Sequence, residues 1–238
     1  MEEKELKTSP KQRVFISLIA IIMLGSVIAS YVAIVMNGSK SSSSESEIDE
    51  AKIEKYAAEY EKEVAEFHEV TKGDFAKFNQ YMSEVRTYDE AAANEGGVKT
   101  RDIVVGDGRE LAEGDTDYLA YYVGFCADGS VFDSSLNDKD NPTAFDKALN
   151  ASLGMIDGWN TGVVGMKLGG IRKITIPGEL AYGEKMEICG GYNKPLRFLV
   201  MAVANEDPLK TAASEVDTAF MKLQYAYYGI DYDAQMGQ

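Results

Sequence analysis

Residues 131–135 read Val131-Phe132-Asp133-Ser134-Ser135, directly after an Asp128-Gly129 turn signal. An aromatic ring, a carboxylate and two hydroxyls in a row are either an acid with a nucleophile or a strand end whose polar groups shape a pocket. A serine nucleophile needs an oriented base, and the only histidine, His68, lies in a separate segment far upstream. Ser134 and Ser135 are therefore read as hydroxyls that satisfy backbone groups where a strand ends. On the other side of the turn, Tyr118 to Phe125 is a β-branched and aromatic run, so the two segments form an antiparallel hairpin. Ile171 to Ile176 and Phe198 to Ala204 are further strands, and Asp157 to Met166 gives only a short helix because Gly158, Gly162 and Gly165 interrupt it. The pattern is α+β, dominated by an antiparallel sheet.

Outside this region the chain changes character. Residues 14–36 read VFISLIAIIMLGSVIASYVAIVM, 23 residues without a charge, and about 20 apolar residues cross a bilayer as a helix. A cleaved signal peptide carries a shorter apolar run before a small-residue site, for which Ala29-Ser30 is a weak match. Lys4, Lys7, Lys11 and Arg13 precede the run and Lys40 alone follows closely, which places residues 1–13 in the cytoplasm and the rest of a single-pass cell-membrane protein outside it. Residues 37–47, NGSKSSSSESE, form a flexible linker.

In residues 48–95 an acidic helical stalk is predicted. Ile53, Tyr56, Tyr60, Val64, Phe67 and Val70 recur at helical spacing, Gly73-Asp74 breaks the run, and Phe75, Phe78, Met82 and Val85 continue it to about Ala93. Such a stripe is buried either within the chain or in a homodimer through the stalk. His68 beside it is read as a helix-surface residue, because no further metal ligands stand at short spacing. The tail, 206–238, carries another amphipathic helix over 209–228. The formal net charge is −15 and no basic run alternates with aromatics, which excludes nucleic acid as a partner.

The segment from about 97 to 205 resembles the FKBP-type peptidyl-prolyl isomerases. The resemblance is carried, in order, by Tyr122-Val123-Gly124, Asp128-Gly129, Val131 to Ser135, Met155-Ile156-Asp157-Gly158-Trp159, Gly162-Val163, Met166, Gly169, Ile174-Thr175-Ile176-Pro177 and Leu180-Ala181-Tyr182-Gly183. Val105 to Gly108 and Leu196-Arg197-Phe198 flank them. It implies a sheet of five or six antiparallel strands curled around a short helix. Trp159 is then the floor of an apolar pocket, Tyr122, Phe132, Met155, Ile156, Tyr182 and Phe198 are its walls, and Asp133 stands at its rim. It further implies isomerisation of proline-containing polypeptides without cofactor or metal. Tyr182 and the Ile156 N–H are donors to substrate carbonyls and Asp133 acts electrostatically. The rival expectation is a low-turnover module that binds proline segments as a chaperone or scaffold.

Two departures from the family pattern bear on the pocket. The segment Pro142-Thr143-Ala144 lacks an aromatic where the family often has one, with Phe145 only beyond it. The loop 184–195, EKMEICGGYNKP, leaves Ile188 as its main apolar cap. Cys126 and Cys189, the only cysteines, have no metal-binding spacing. They are either a disulfide tying this loop to the hairpin or two free thiols.

Overall fold

The computed structural model describes residues 49–84 and 86–236. The expected anchor at 14–36, the linker at 37–47 and Val85 lie outside the described residues. Among the described residues no helix is long and apolar enough to cross a membrane.

Helix α1 spans Glu50–Asn79, opened by Asp49, whose Oδ1 accepts from the Lys52 N–H at 3.1 Å. It passes Gly73-Asp74 without the expected break. A helical glycine costs about 1 kcal/mol relative to alanine, and the burial of Phe78 one turn on outweighs that. The helix also stops earlier than expected, before a 3-10 turn at Met82–Glu84 and the short α2, Glu90–Asn94. Val70 remains 40% exposed, because the position four residues after Phe67 is Thr71. Thr71 is buried there, with its hydroxyl donating to the Phe67 carbonyl at 2.9 Å.

Then come β1 (Lys99–Val104), β2 (Tyr118–Phe125), β3 (Val131–Ser134), β4 (Leu149–Asn150), α3 (Asp157–Val163), β5 (Ile171–Ile176), β6 (Leu196–Ala204), α4 (Leu209–Tyr227) and α5 (Tyr232–Met236). The strands form one antiparallel sheet in the order β1-β5-β6-β2-β3, with β4 also on β2. Strand β1 has no counterpart in the sequence pattern: its residues Lys99 to Asp102 are exposed and polar, and offer no alternation to read.

Two compact units divide the chain. The larger, Ala58–Met221, holds the whole sheet; the other joins the start of α1 to residues from Lys222 onward. Within that smaller unit Lys52 pairs with Asp231 at 2.7 Å and the Tyr225 and Tyr232 rings meet edge to face.

In the larger unit the strand pleat sorts side chains into two cores. Leu119, Tyr121, Val123 and Phe125 of β2, with Leu199, Met201 and Val203 of β6, join Phe67 and Phe78 of α1, Phe145, and Ala212, Ala213 and Val216 of α4. On the other face Tyr118, Ala120 and Tyr122 of β2, with Phe198, Val200 and Ala202 of β6 and Ile174 and Ile176 of β5, meet Trp159 and Val163 of α3. Every residue of β2 is buried as a result. Phe67 and Phe78 of α1, with Tyr60, Val64 and Phe75 packed against them, thus lie in the core of their own chain.

Candidate active site

The hairpin places Val131-Phe132-Asp133-Ser134 against β2, with Val123 opposite Ser134 and Gly124 opposite Asp133. Both serines serve the backbone. Ser135 exchanges bonds with Tyr122, its hydroxyl accepting from the Tyr122 N–H at 3.1 Å and its own N–H donating to the Tyr122 carbonyl at 2.8 Å. The Ser134 hydroxyl accepts from the Leu136 N–H at 3.3 Å. Neither is an activated nucleophile.

Gly124 lies on the same face of β2 as Tyr122, and a Cβ there would stand 2.5 Å from the Phe132 ring and 3.0 Å from that of Phe198. Its bareness lets both rings close over the strand. Phe132 and Phe198 meet edge to face at 5.5 Å, Phe198 and Trp159 at 5.4 Å, and Tyr122 and Trp159 at 5.8 Å, the geometry that aromatic quadrupoles favour.

Helix α3 brings Trp159 to the floor of this cluster. It approaches the sheet closely because Gly158 and Gly162 face Ile176 and Ile174, where a Cβ would come within 2.1 and 2.5 Å. Its C-terminal end is held by buried Arg172, whose Nη1 donates to the Gly162 and Val164 carbonyls at 3.0 and 2.8 Å. The same guanidinium forks onto Asp102 at 2.6 and 3.1 Å. The indole N–H of Trp159 donates to the Tyr118 hydroxyl at 3.0 Å, so its polar edge is satisfied in the core and its ring is fixed.

Around this floor Met155, Ile156 and Tyr182 are half-buried and pack on the same core, as do Leu180, Ile188 and Cys189. All eight residues singled out from the sequence therefore converge: Tyr122, Phe132, Met155, Trp159 and Phe198 as rings and side chains of the cluster, and Asp133, Ile156 and Tyr182 at its edge. Phe145 does not substitute for the absent pocket aromatic. It is stacked on Tyr121 at 4.2 Å and flanked by Phe75 and Phe78 in the opposite core.

The polar groups at the edge have defined partners. The Tyr122 hydroxyl donates to Asp133, which also accepts from the Ser134 N–H at 2.8 Å and faces the Lys147 ammonium at 3.3 Å. Burial and the adjacent Asp133 charge push the Tyr122 phenol well above its ordinary pKa, so it remains a donor. Burial, and then Asp133, raise Tyr182 in the same direction. No hydrogen bond to the Tyr182 hydroxyl or from the Ile156 N–H forms among the described residues, which leaves two donors at the mouth of an apolar cluster.

Two features lay beyond sequence reasoning. Tyr118 as the indole's partner and Lys147 as the cation beside Asp133 carried no local signal. Cys126 and Cys189 form a disulfide with Cα atoms 5.4 Å apart, which settles the open alternative and ties the loop after Tyr182 to the end of β2. His68 is more than a surface residue: its Nε2 lies 2.7 Å from Asp146 Oδ1, and burial raises the Asp146 pKa against the opposing pull of His68.

The sequence profile of FKBP-type peptidyl-prolyl cis-trans isomerases matches residues 108–201. An FK506-binding protein of Neisseria meningitidis serogroup B is 41% identical over 91 residues, covering 37% of this chain and 76% of that protein. FK506-binding protein 4 of Gibberella zeae is 43% identical over 89 residues, 37% of this chain, but the match spans only 17% of that longer protein. The crystal structure of AtFKBP13 aligns with 47% of this chain and 94% of its own at 32% identity and a TM-score of 0.36. The chain belongs to the FKBP-type peptidyl-prolyl cis-trans isomerase family.

Proposed function

We propose that the protein is a membrane-anchored peptidyl-prolyl cis-trans isomerase that assists folding of proline-containing polypeptides outside the cytoplasm. The observation that carries the activity is the convergence of an apolar aromatic cluster with two uncommitted donors, the Tyr182 hydroxyl and the Ile156 N–H.

The chemistry asks for little else. Amide resonance opposes rotation with a barrier of about 18–20 kcal/mol, and no covalent bond breaks. Trp159 and Phe198 take the prolyl ring out of water, with Tyr122, Phe132 and Met155 around it. The twisted amide has lost resonance, so a donor that meets it better than the planar amide lowers the barrier, whereas equal binding of both leaves it unchanged. The Ile156 N–H and the Tyr182 hydroxyl donate to substrate carbonyls. Asp133, oriented by Tyr122, the Ser134 N–H and Lys147, supplies the local field at the twisting bond.

The location rests on three supports. Residues 14–36 are charge-free with cations biased to the N-terminal side, and both cysteines are consumed in a disulfide, as oxidising compartments favour. The stripe that a stalk homodimer would use includes Phe67 and Phe78, which are fully buried within the chain, so one copy suffices for the fold.

A prolyl-peptide isomerisation assay on the purified full-length protein tests the activity, with acceleration over the uncatalysed rate as the expected result. Peptide binding without acceleration assigns the low-turnover module instead. Protease added to intact spheroplasts should cleave residues after 36, and protection would reverse the topology.

A further inference from the structure

A second concave region lies away from the aromatic cluster. The segment Thr87 to Ala93 passes over the sheet beside the edge strand β1, leaving a cleft of about 470 Å³, within the size range of ligand sites. Its sheet wall is Lys99 and Arg101 of β1, Lys173 of β5 and Arg197 of β6. Arg197 and Lys173 share strand parity with Leu199 and Ile171 of the helix-covered core, so the cleft opens on the face opposite Trp159.

Four cations converge here in a chain whose net charge is −15. Arg101 stands directly opposite Lys173, and Thr175 is paired with Lys99 on one side and Arg197 on the other. Like charges directly opposite one another destabilise a sheet. Two of the four are held in place by the overlying segment: the Lys99 ammonium donates to the Ala92 carbonyl, and Arg197 donates to the Thr87 carbonyl at 2.9 Å and to Thr175 Oγ1 at 3.1 Å, beneath the Tyr88 ring at 4.3 Å. Lys173, only partly exposed, makes no hydrogen bond or ion pair among the described residues. Its pKa is lowered by burial and then by Arg197 and Arg101. Asp89, the one acid lining the cleft, spends Oδ1 on the cap of α2.

We propose that this cleft binds an extended acidic segment of a polypeptide, with Lys173 receiving one of its carboxylates and Arg101 opposite it adding to the local positive field. A peptide is favoured over a free anion because β1 is the outermost strand of the sheet, so one side of its backbone is open to an added strand. The cations stand at alternate positions of β1, Lys99 and Arg101, the period at which an extended chain presents side chains on one face. The site does not depend on the isomerase reading.

The test uses a labelled, proline-free peptide of alternating Glu and Gly, followed by fluorescence anisotropy on the full-length protein, with the Gln-for-Glu peptide as control. Proline is left out so that the aromatic cluster does not contribute. The Glu peptide is expected to bind at least ~10-fold more tightly than the Gln peptide, with affinity falling as ionic strength rises. Lys173→Gln, a partly exposed position without internal partners, and Arg101→Gln should each weaken the Glu peptide several-fold, about 1 kcal/mol by the affinity scale, while isomerase activity on a neutral peptide stays at the wild-type level. Equal binding of the two peptides, or binding untouched by Lys173→Gln in a protein of unchanged melting temperature, overturns the proposal. Full competition by inorganic phosphate at the peptide's own concentration also overturns it, since it assigns a site for small anions.

Discussion

The two faces of one sheet are both apolar and aromatic, yet they are built for different ends. On the helix-covered face the rings satisfy each other: Tyr121 lies flat on Phe145, whose edges are closed by Phe75 and Phe78. On the other face Trp159, Phe198, Tyr122 and Phe132 meet edge to face or tilted, with no pair stacked, and the cluster ends in half-buried groups with donors to spare. A core and a binding site thus differ less in composition than in whether the last layer of partners comes from the chain. Helices α1 and α4 supply that layer on one side, and on the other it is left to substrate.

The sharpest way to break this contrast is to hollow out the closed face. Phe145→Ala should cost about 3–5 kcal/mol of stability in chemical denaturation, with kcat/KM of the folded fraction unchanged. A comparable loss of kcat/KM would show that the faces are not separable.

The disulfide bears on the open face. It closes a loop of 63 residues, and chain entropy assigns such a crosslink about 4 kcal/mol at most, with 2–4 kcal/mol typical. The double substitution Cys126→Ser, Cys189→Ser should lower stability by that order and raise KM more than it lowers kcat, because the loop carrying Ile188 loses its tether.

Much of the open face is legible from the sequence, since each of its parts marks a separate local constraint. The Asp128-Gly129 turn fixes the hairpin, the glycines at 158 and 162 announce close helix packing, and the spacing of Phe132, Trp159, Tyr182 and Phe198 follows the family. What sequence does not disclose is pairing across distance. Lys147 reaches Asp133 and Tyr118 reaches Trp159 only after folding, and Thr71 displaces Val70 because the helix continues through Gly73-Asp74 when Phe75 and Phe78 have a core to enter. Strand β1 escapes notice because its exposed polar residues take strand form from pairing with β5, not from their own pattern.

Two smaller effects sharpen the contrast. Tyr182 has its pKa raised above 10 by burial and by Asp133, so its protonated donor form persists on the alkaline side. The kcat/KM profile should therefore stay level up to at least about pH 9.5, and a decline set by a group near pH 8 would remove Tyr182 from its role. On the closed face, the buried Tyr121 hydroxyl lies beside Asp74, and burial, followed by the charge and hydrogen-bonding of that carboxylate, raises its pKa. Tyr121→Phe should shift stability by about 1 kcal/mol or less and leave kcat/KM unchanged. A loss of kcat/KM in the folded variant would show that the two faces are coupled.

The central claim is that the open aromatic face, and not the closed one, lowers the barrier to prolyl rotation. It is tested most directly by comparing kcat/KM for prolyl isomerisation in Phe132→Ala and Phe75→Ala, each corrected for the folded fraction. Phe132→Ala should lose at least ~10-fold, about 1.4 kcal/mol of transition-state stabilisation, while Phe75→Ala stays within about 2-fold of wild type. Equal losses in the two variants, or none in Phe132→Ala, would contradict the account.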